Sequence, residues 1–162
     1  MTATQTAETF KTVFATADCH RCDGKGYMNG YSHVAGGVCF ACNGAKRKLT
    51  AAGAAAYEAY RAELVKANGV KAAELAVGDK VVSIANGRGI AQYGEAVRTI
   101  ASIRNDDSKN WPAYYFQFKG EILKYLTANE DDTVLRFNPA AAREVAREIA
   151  RRYPNGLTIV EG

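Results

Sequence analysis

Histidine is scarce in this chain: there are two among 162 residues, and both, His20 and His33, lie in or beside one short cysteine-bearing stretch. No nucleophile elbow, phosphate-cradling glycine loop, zinc-protease motif or cysteine–histidine arrangement is present. The familiar sequence signposts of hydrolysis and phosphoryl transfer are therefore missing. Long apolar runs are missing too. No stretch approaches the ~18 uncharged residues that a membrane helix requires. The opening segment, MTATQTAETF, has neither a basic region nor an apolar run, so no secretory signal is expected. These absences lead to the expectation of a soluble, cytoplasmic protein with no membrane partner. The chain does not lack apolar residues, which make up 48% of it, and wholesale disorder is excluded. A chain this long buries roughly two thirds of its unfolded surface, so it needs no metal or disulfide merely to have a core.

Charge of one sign is also modest, at +4 overall. Its placement says more. Residues 1–50 carry six basic side chains, Lys11, Arg21, Lys25, Lys46, Arg47 and Lys48, against three acids, Glu8, Asp18 and Asp23. Residues 101–162 carry nine of each sign and cancel. The cysteine-bearing part is the basic part, which permits contact with nucleic acid without requiring it.

There are four cysteines, and they fall in two matched pairs: Cys19 and Cys22 in CHRCDGKG, Cys39 and Cys42 in CFACNGAK. The pattern C-x2-C, sixteen residues, C-x2-C has the spacing of a four-cysteine zinc site. Two residues between cysteines let both sulfurs of a tight turn reach one ion, and two such turns complete a tetrahedron with sulfur about 2.3 Å from zinc. Gly24, Gly26 and Gly44 supply the positive φ that such turns need. Paired disulfides are the competing reading, but a reducing cytosol disfavours them. A redox C-x-x-C normally stands as one pair near a βαβ unit. Four sulfurs close the coordination sphere, so one structural Zn2+ is expected rather than a catalytic one. His20, inside the first turn, would strain the loop as a further ligand. His33 reads as a hairpin, supporting or contact residue.

The unit C-x-x-C-x-G-x-G resembles the repeat in the cysteine-rich zinc module of DnaJ-type chaperones. Cys19, Cys22, Gly24 and Gly26 match one repeat. Cys39, Cys42 and Gly44 match a second, with Lys46 where its last glycine would stand. The chaperone module has four repeats and two zinc ions, so two repeats imply one ion. No His-Pro-Asp triplet is present, and the J-domain that recruits the partner chaperone is absent. The phrase YSHVAGGVCFACNG also resembles zinc-ribbon segments of small bacteriophage and bacterial proteins, which implies a bacterial cell, with phage encoding as one origin.

Beyond the cysteines, residues 1–16 fit either a helix face (Phe10, Val13, Phe14) or a strand (Phe10, Thr12, Phe14). Thr50 caps an expected helix ending near Gly69, with Tyr57, Tyr60 and Leu64 on one face. From Val70 the pattern becomes short strands with close turns: a Gly-Asp turn, an Asn-Gly turn, then alternation through Val97, Thr99, Ala101 and Ile103, and through Tyr114, Phe116 and Phe118. The expected fold is α+β: a zinc ribbon over 17–48, a connecting helix over 50–68, a small five-stranded, SH3-like β-barrel over 70–138, and a C-terminal helix with a short strand over 139–162. An OB-like barrel is the alternative. Asn138 and Pro139 open the last helix, Pro154 and Gly156 stop it, and Ala142, Val145 and Ile149 form its expected buried stripe.

Three functional readings follow. In the first, a non-enzymatic zinc protein contacts nucleic-acid phosphates through Arg21, Lys25, Lys46, Arg47 and Lys48, with Tyr27, Tyr31 and Phe40 available to stack on bases. Arg143, Arg147 and Arg151, every four residues along the last helix, are a weaker candidate of the same kind. In the second, the module grips another protein. In the third, Asp106 and Asp107, or Glu130, Asp131 and Asp132, serve an active site, although acidic turns are common without one. The expectation is a protein that binds rather than catalyses. Nucleic acid is the leading ligand, protein the alternative, and the oligomeric state stays undetermined.

Overall fold

The structure, a computed structural model, describes residues 10–82, 90–92, 97–106, 113–121 and 125–161. The expected Asn-Gly turn at 86–87 and the acid Asp107 lie outside the described residues. The chain begins with β1 (Phe10–Phe14) and β2 (Thr16–Asp18), passes through the cysteine stretch, and returns as β3 (Arg47–Leu49). Helix α1 (Ala51–Asn68) follows directly. Then come β4 (Gly69–Lys71), β5 (Lys80–Val81), β6 (Ile90–Gln92), β7 (Arg98–Asp106), β8 (Ala113–Phe118), β9 (Tyr125–Asn129) and β10 (Thr133–Leu135). Helix α2 (Pro139–Arg152) and β11 (Leu157–Glu161) close the described chain.

The first core joins segments distant in sequence. Phe10, Thr12 and Phe14 are each 1% exposed, so the opening segment takes the strand alternative. β1 lies between β11 and β6 in an antiparallel sheet, with Phe10 opposite Glu161 and Phe14 opposite Leu157. On this sheet pack α1, through Ala56, Tyr60 and Leu64, and α2, through Ala142, Ala146 and Ile149. Phe14 meets Tyr57 edge to face at 5.3 Å. Burying each large side chain here contributes roughly 1.5–3 kcal/mol. Both helices begin as expected: the Thr50 hydroxyl accepts from the Gly53 N–H at 3.0 Å, and the Asn138 side chain accepts from the Ala141 N–H at 3.2 Å. In α2 it is Ala146 rather than Val145 that completes the buried stripe, and Val145 is half-buried.

The second core lies under a four-stranded antiparallel sheet in the order β5-β7-β8-β9, filled by Ile100, Phe116 and Phe118 with Ala72 and Leu75. β10 pairs with β4, and Arg136 just beyond it bridges to Val81 of β5. The sheet is partly barrel-like. One expected phase is corrected. Ile100 is fully buried and Ala101 exposed, because the β7–β8 register slips between Ile100 and Ser102. A bulge there sets two residues against one and turns the alternation over. Ile103, three residues on, then returns towards the core.

No helix among the described residues is long and apolar enough to cross a membrane.

Candidate metal centre

β2 and β3 form a two-stranded antiparallel stem, with Thr16 opposite Leu49 and Asp18 opposite Arg47. The stem carries residues 19–46 as a separate module whose only fully buried cluster is the four cysteines. It is anchored where Ala15, between β1 and β2, accepts from the Thr50 N–H at 3.0 Å and donates to the Gly156 carbonyl at 2.9 Å.

The two cysteine turns are built alike. In the first, the Cys19 carbonyl accepts from the N–H groups of Cys22 (3.3 Å) and Gly24 (3.1 Å), and the Cys22 carbonyl from Lys25 (2.9 Å). In the second, the Cys39 carbonyl accepts from Cys42 (3.3 Å) and Gly44 (3.2 Å), and the Cys42 carbonyl from Ala45 (2.9 Å). The turns also exchange bonds. Cys39 N–H donates to the Gly26 carbonyl at 2.9 Å, and Cys19 N–H to the Lys46 carbonyl at 2.8 Å. The first cysteine of each repeat is thus held by the last residue of the other. Lys46, which stands in place of a glycine, adopts the left-handed conformation all the same, at φ 68°. Asp23 and Asn43, both at φ 48°, match in the same way.

This pairing brings the four sulfurs together, all within 4.8 Å of one another and all buried. Cys19 Sγ lies 3.9 Å from Cys39 Sγ, and Cys22 Sγ 3.8 Å from Cys42 Sγ. A tetrahedral ion with sulfur at about 2.3 Å sets its ligands about 3.8 Å apart. A disulfide needs about 2.05 Å, and the four thiols are free. The donor set and its spacing fit a metal ion. The Gly26 N–H points at Cys22 Sγ from 3.2 Å, the kind of contact that offsets thiolate charge. Burial, with the neighbouring thiols, pushes the Cys22 thiol up to about 11 despite that contact. At Cys39 burial also pushes upward, but the N–H groups of Cys42 and Ala41, together with the Cys22 and Cys42 thiols, outweigh it and bring the thiol down to about 7.

The basic, aromatic and histidine residues singled out around the cysteines all reach the surface of this module and its stem. Arg21, Lys25, Lys46, Arg47 and Lys48 are exposed. Tyr27, Tyr31 and Phe40 are each more than half exposed. Arg21, Lys25, Tyr27 and Tyr31 line one shallow depression, whereas Arg47 and Lys48 line another. Arg47 is partly engaged in the stem, donating to the Thr16 carbonyl at 3.0 Å with Asp18 at 3.9 Å. His20 and His33 are exposed, and the His33 ring stacks on Tyr31. Spacing and charge in the sequence pointed to these residues individually. Which of them share a depression comes from the fold.

The acidic turn after β9 is built into the scaffold. Asp132 accepts from the Asn129 N–H at 2.7 Å, and Asp131 pairs with Lys71 at 3.0 Å, which holds the ammonium above its usual range. On α2, the Arg143 guanidinium lies over the Phe10 ring, while Arg147 and Arg151 are exposed.

Comparison with protein-family models, curated proteins and solved structures finds no match to this chain.

Proposed function

We propose that this chain is a non-enzymatic zinc protein: one structural Zn2+ on Cys19, Cys22, Cys39 and Cys42 holds up a small module that binds nucleic acid through its basic loops. The observation that carries this reading is a contrast within the module. The four sulfurs are buried and lie within 4.8 Å of one another, while Arg21, Lys25, Lys46, Arg47 and Lys48 are all exposed. A closed sphere leaves no position for a reacting water. Exposed cations on a rigid support supply phosphate contacts. The test is elemental analysis followed by mobility shift on DNA and RNA at two salt concentrations, with and without chelator. One zinc per chain and binding that falls steeply with salt and chelator support the reading. Binding that ignores both sinks it.

A protein partner is the second reading. Nine large hydrophobic side chains are exposed among the described residues, and five of them, Tyr27, Tyr31, Val34, Val38 and Phe40, belong to the module. Capture of a partner that survives nuclease treatment and needs zinc would favour this reading over the first.

A further inference from the structure

The module offers two basic surfaces, and they differ in chemistry. One is a depression of about 190 Å3 whose lining includes Arg21, Lys25, Tyr27 and Tyr31, together with the acid Asp23. The other, about 300 Å3, is lined by Arg47 and Lys48 with no aromatic ring. In the first, Tyr27 and Tyr31 are 51% and 54% exposed, so about half of each residue reaches solvent. Tyr31 is also backed by His33, with ring centroids 6.5 Å apart and planes 27° from parallel. Two near-parallel rings make a stiffer platform than a lone side chain. The backbone beneath is fixed as well: Tyr27 bridges Val38, and Met28 N–H donates to the Gly37 carbonyl at 2.7 Å.

Resting on the nucleic-acid reading above, we infer that the Arg21–Tyr31 depression is a single-strand site, in which unpaired bases stack on Tyr27 and Tyr31 while Arg21 and Lys25 take the flanking phosphates. A duplex keeps its base faces inside the stack, where surface rings cannot reach them. Reading a duplex from its groove calls for a helix or a two-stranded ribbon. The depression is bordered instead by the first cysteine turn and the single 3-10 turn Asn29–Tyr31. Rings beside cations are the pattern by which unpaired strands are held. Arg47 and Lys48, on the two-stranded stem, lie outside this depression.

The test uses the full zinc-loaded chain and fluorescence anisotropy. The probe is a labelled oligothymidylate, alone and annealed to oligodeoxyadenylate, at two salt concentrations. The single strand should bind at least tenfold tighter than the duplex. Tyr31→Leu should weaken single-strand binding about tenfold with the salt slope unchanged, as loss of one stacked base predicts. Tyr31→Phe, which keeps the ring, should restore it, and zinc content with thermal unfolding verifies that both variants fold. Equal affinity for strand and duplex, with Tyr31→Leu silent, overturns the single-strand site and leaves the nucleic-acid reading standing. A single-strand preference that Tyr31→Leu does not touch places the site elsewhere and overturns it too. Binding to neither probe at low salt overturns both.

Discussion

Gly26 and Gly44 meet across the two cysteine turns so closely that a β-carbon on Gly26 would lie 2.8 Å from the Gly44 carbonyl oxygen. It would also lie 3.1 Å from Lys46 Cγ, on a backbone at φ 82°. Gly26→Ala therefore combines left-handed strain of ~1–3 kcal/mol with a push on the opposite turn. Zinc affinity, measured by competition with a chromophoric chelator, should fall at least about tenfold. Gly30→Ala, with no neighbour within 4 Å, should leave it unchanged. Equal losses at the two positions would contradict the account.

Gly53 lies in the first turn of α1, where alanine ordinarily gains about 1 kcal/mol over glycine. Here the sign reverses. A β-carbon on Gly53 would run into the Ala15 carbonyl oxygen, the same atom that accepts from the Thr50 N–H and hydroxyl. Gly156→Ala meets the Ala52 carbonyl oxygen, and Ala56 Cβ at 2.9 Å. Each substitution should cost ~1–3 kcal/mol and lower the melting temperature by several degrees. A rise in either case would show that the contact yields freely.

Chelation should separate the module from the helices. The module's fully buried cluster consists of the four cysteines, whereas α1 and α2 share a core of Phe10, Phe14, Tyr60, Leu64 and Ile149. Removing the metal takes away what holds the module's interior together. Limited proteolysis with and without chelator should show new cleavage confined to residues 19–46, with the far-ultraviolet helix signal retained. Loss of the helix signal at the same chelator concentration would mean the two share one cooperative unit.

Lys71 and Asp131 give a pH test of the acidic turn. The pair raises the Lys71 ammonium above its usual value of 10.5. A cation raised in the folded state adds stability that is fully present below 10.5 and is lost as pH rises through its higher folded value. Both partners are exposed, so the effect is small. Asp131→Asn should lower the melting temperature slightly and by the same amount from neutral pH to about pH 9, with the difference vanishing only in strong alkali. A difference that changes between pH 6 and 8 would point to a role other than this pair.

The legible parts of this protein are those set within a few residues. Cys19, Cys22, Cys39 and Cys42 were readable because each turn closes on itself, and the glycines mark where it does. Thr50 and Asn138 were readable as caps because a cap bonds three residues ahead. The opening strand was ambiguous because its partner, β11, lies about 150 residues away, and periodicity cannot see across that distance. The alternation expected in β7 includes the exposed Ala101 and misses the buried Ile100, because a bulge between Ile100 and Ser102 leaves no mark in the hydrophobic pattern. At the site, charge named Arg47 and Arg21 alike. Only the stem pairing, which occupies Arg47 with Thr16 and Asp18, sets them apart.

The module sits between β1 and α1, and its stem and all four sulfurs come from residues 16–49. On the ribosome that stretch is finished long before Leu157–Glu161 exist to pair with β1. The four sulfurs are therefore all present in a nascent chain whose main hydrophobic core is still missing a strand and a helix. The four thiols are complete as a set before the core can close, and none of the core residues Phe10, Phe14, Tyr60, Leu64 and Ile149 belongs to their cluster.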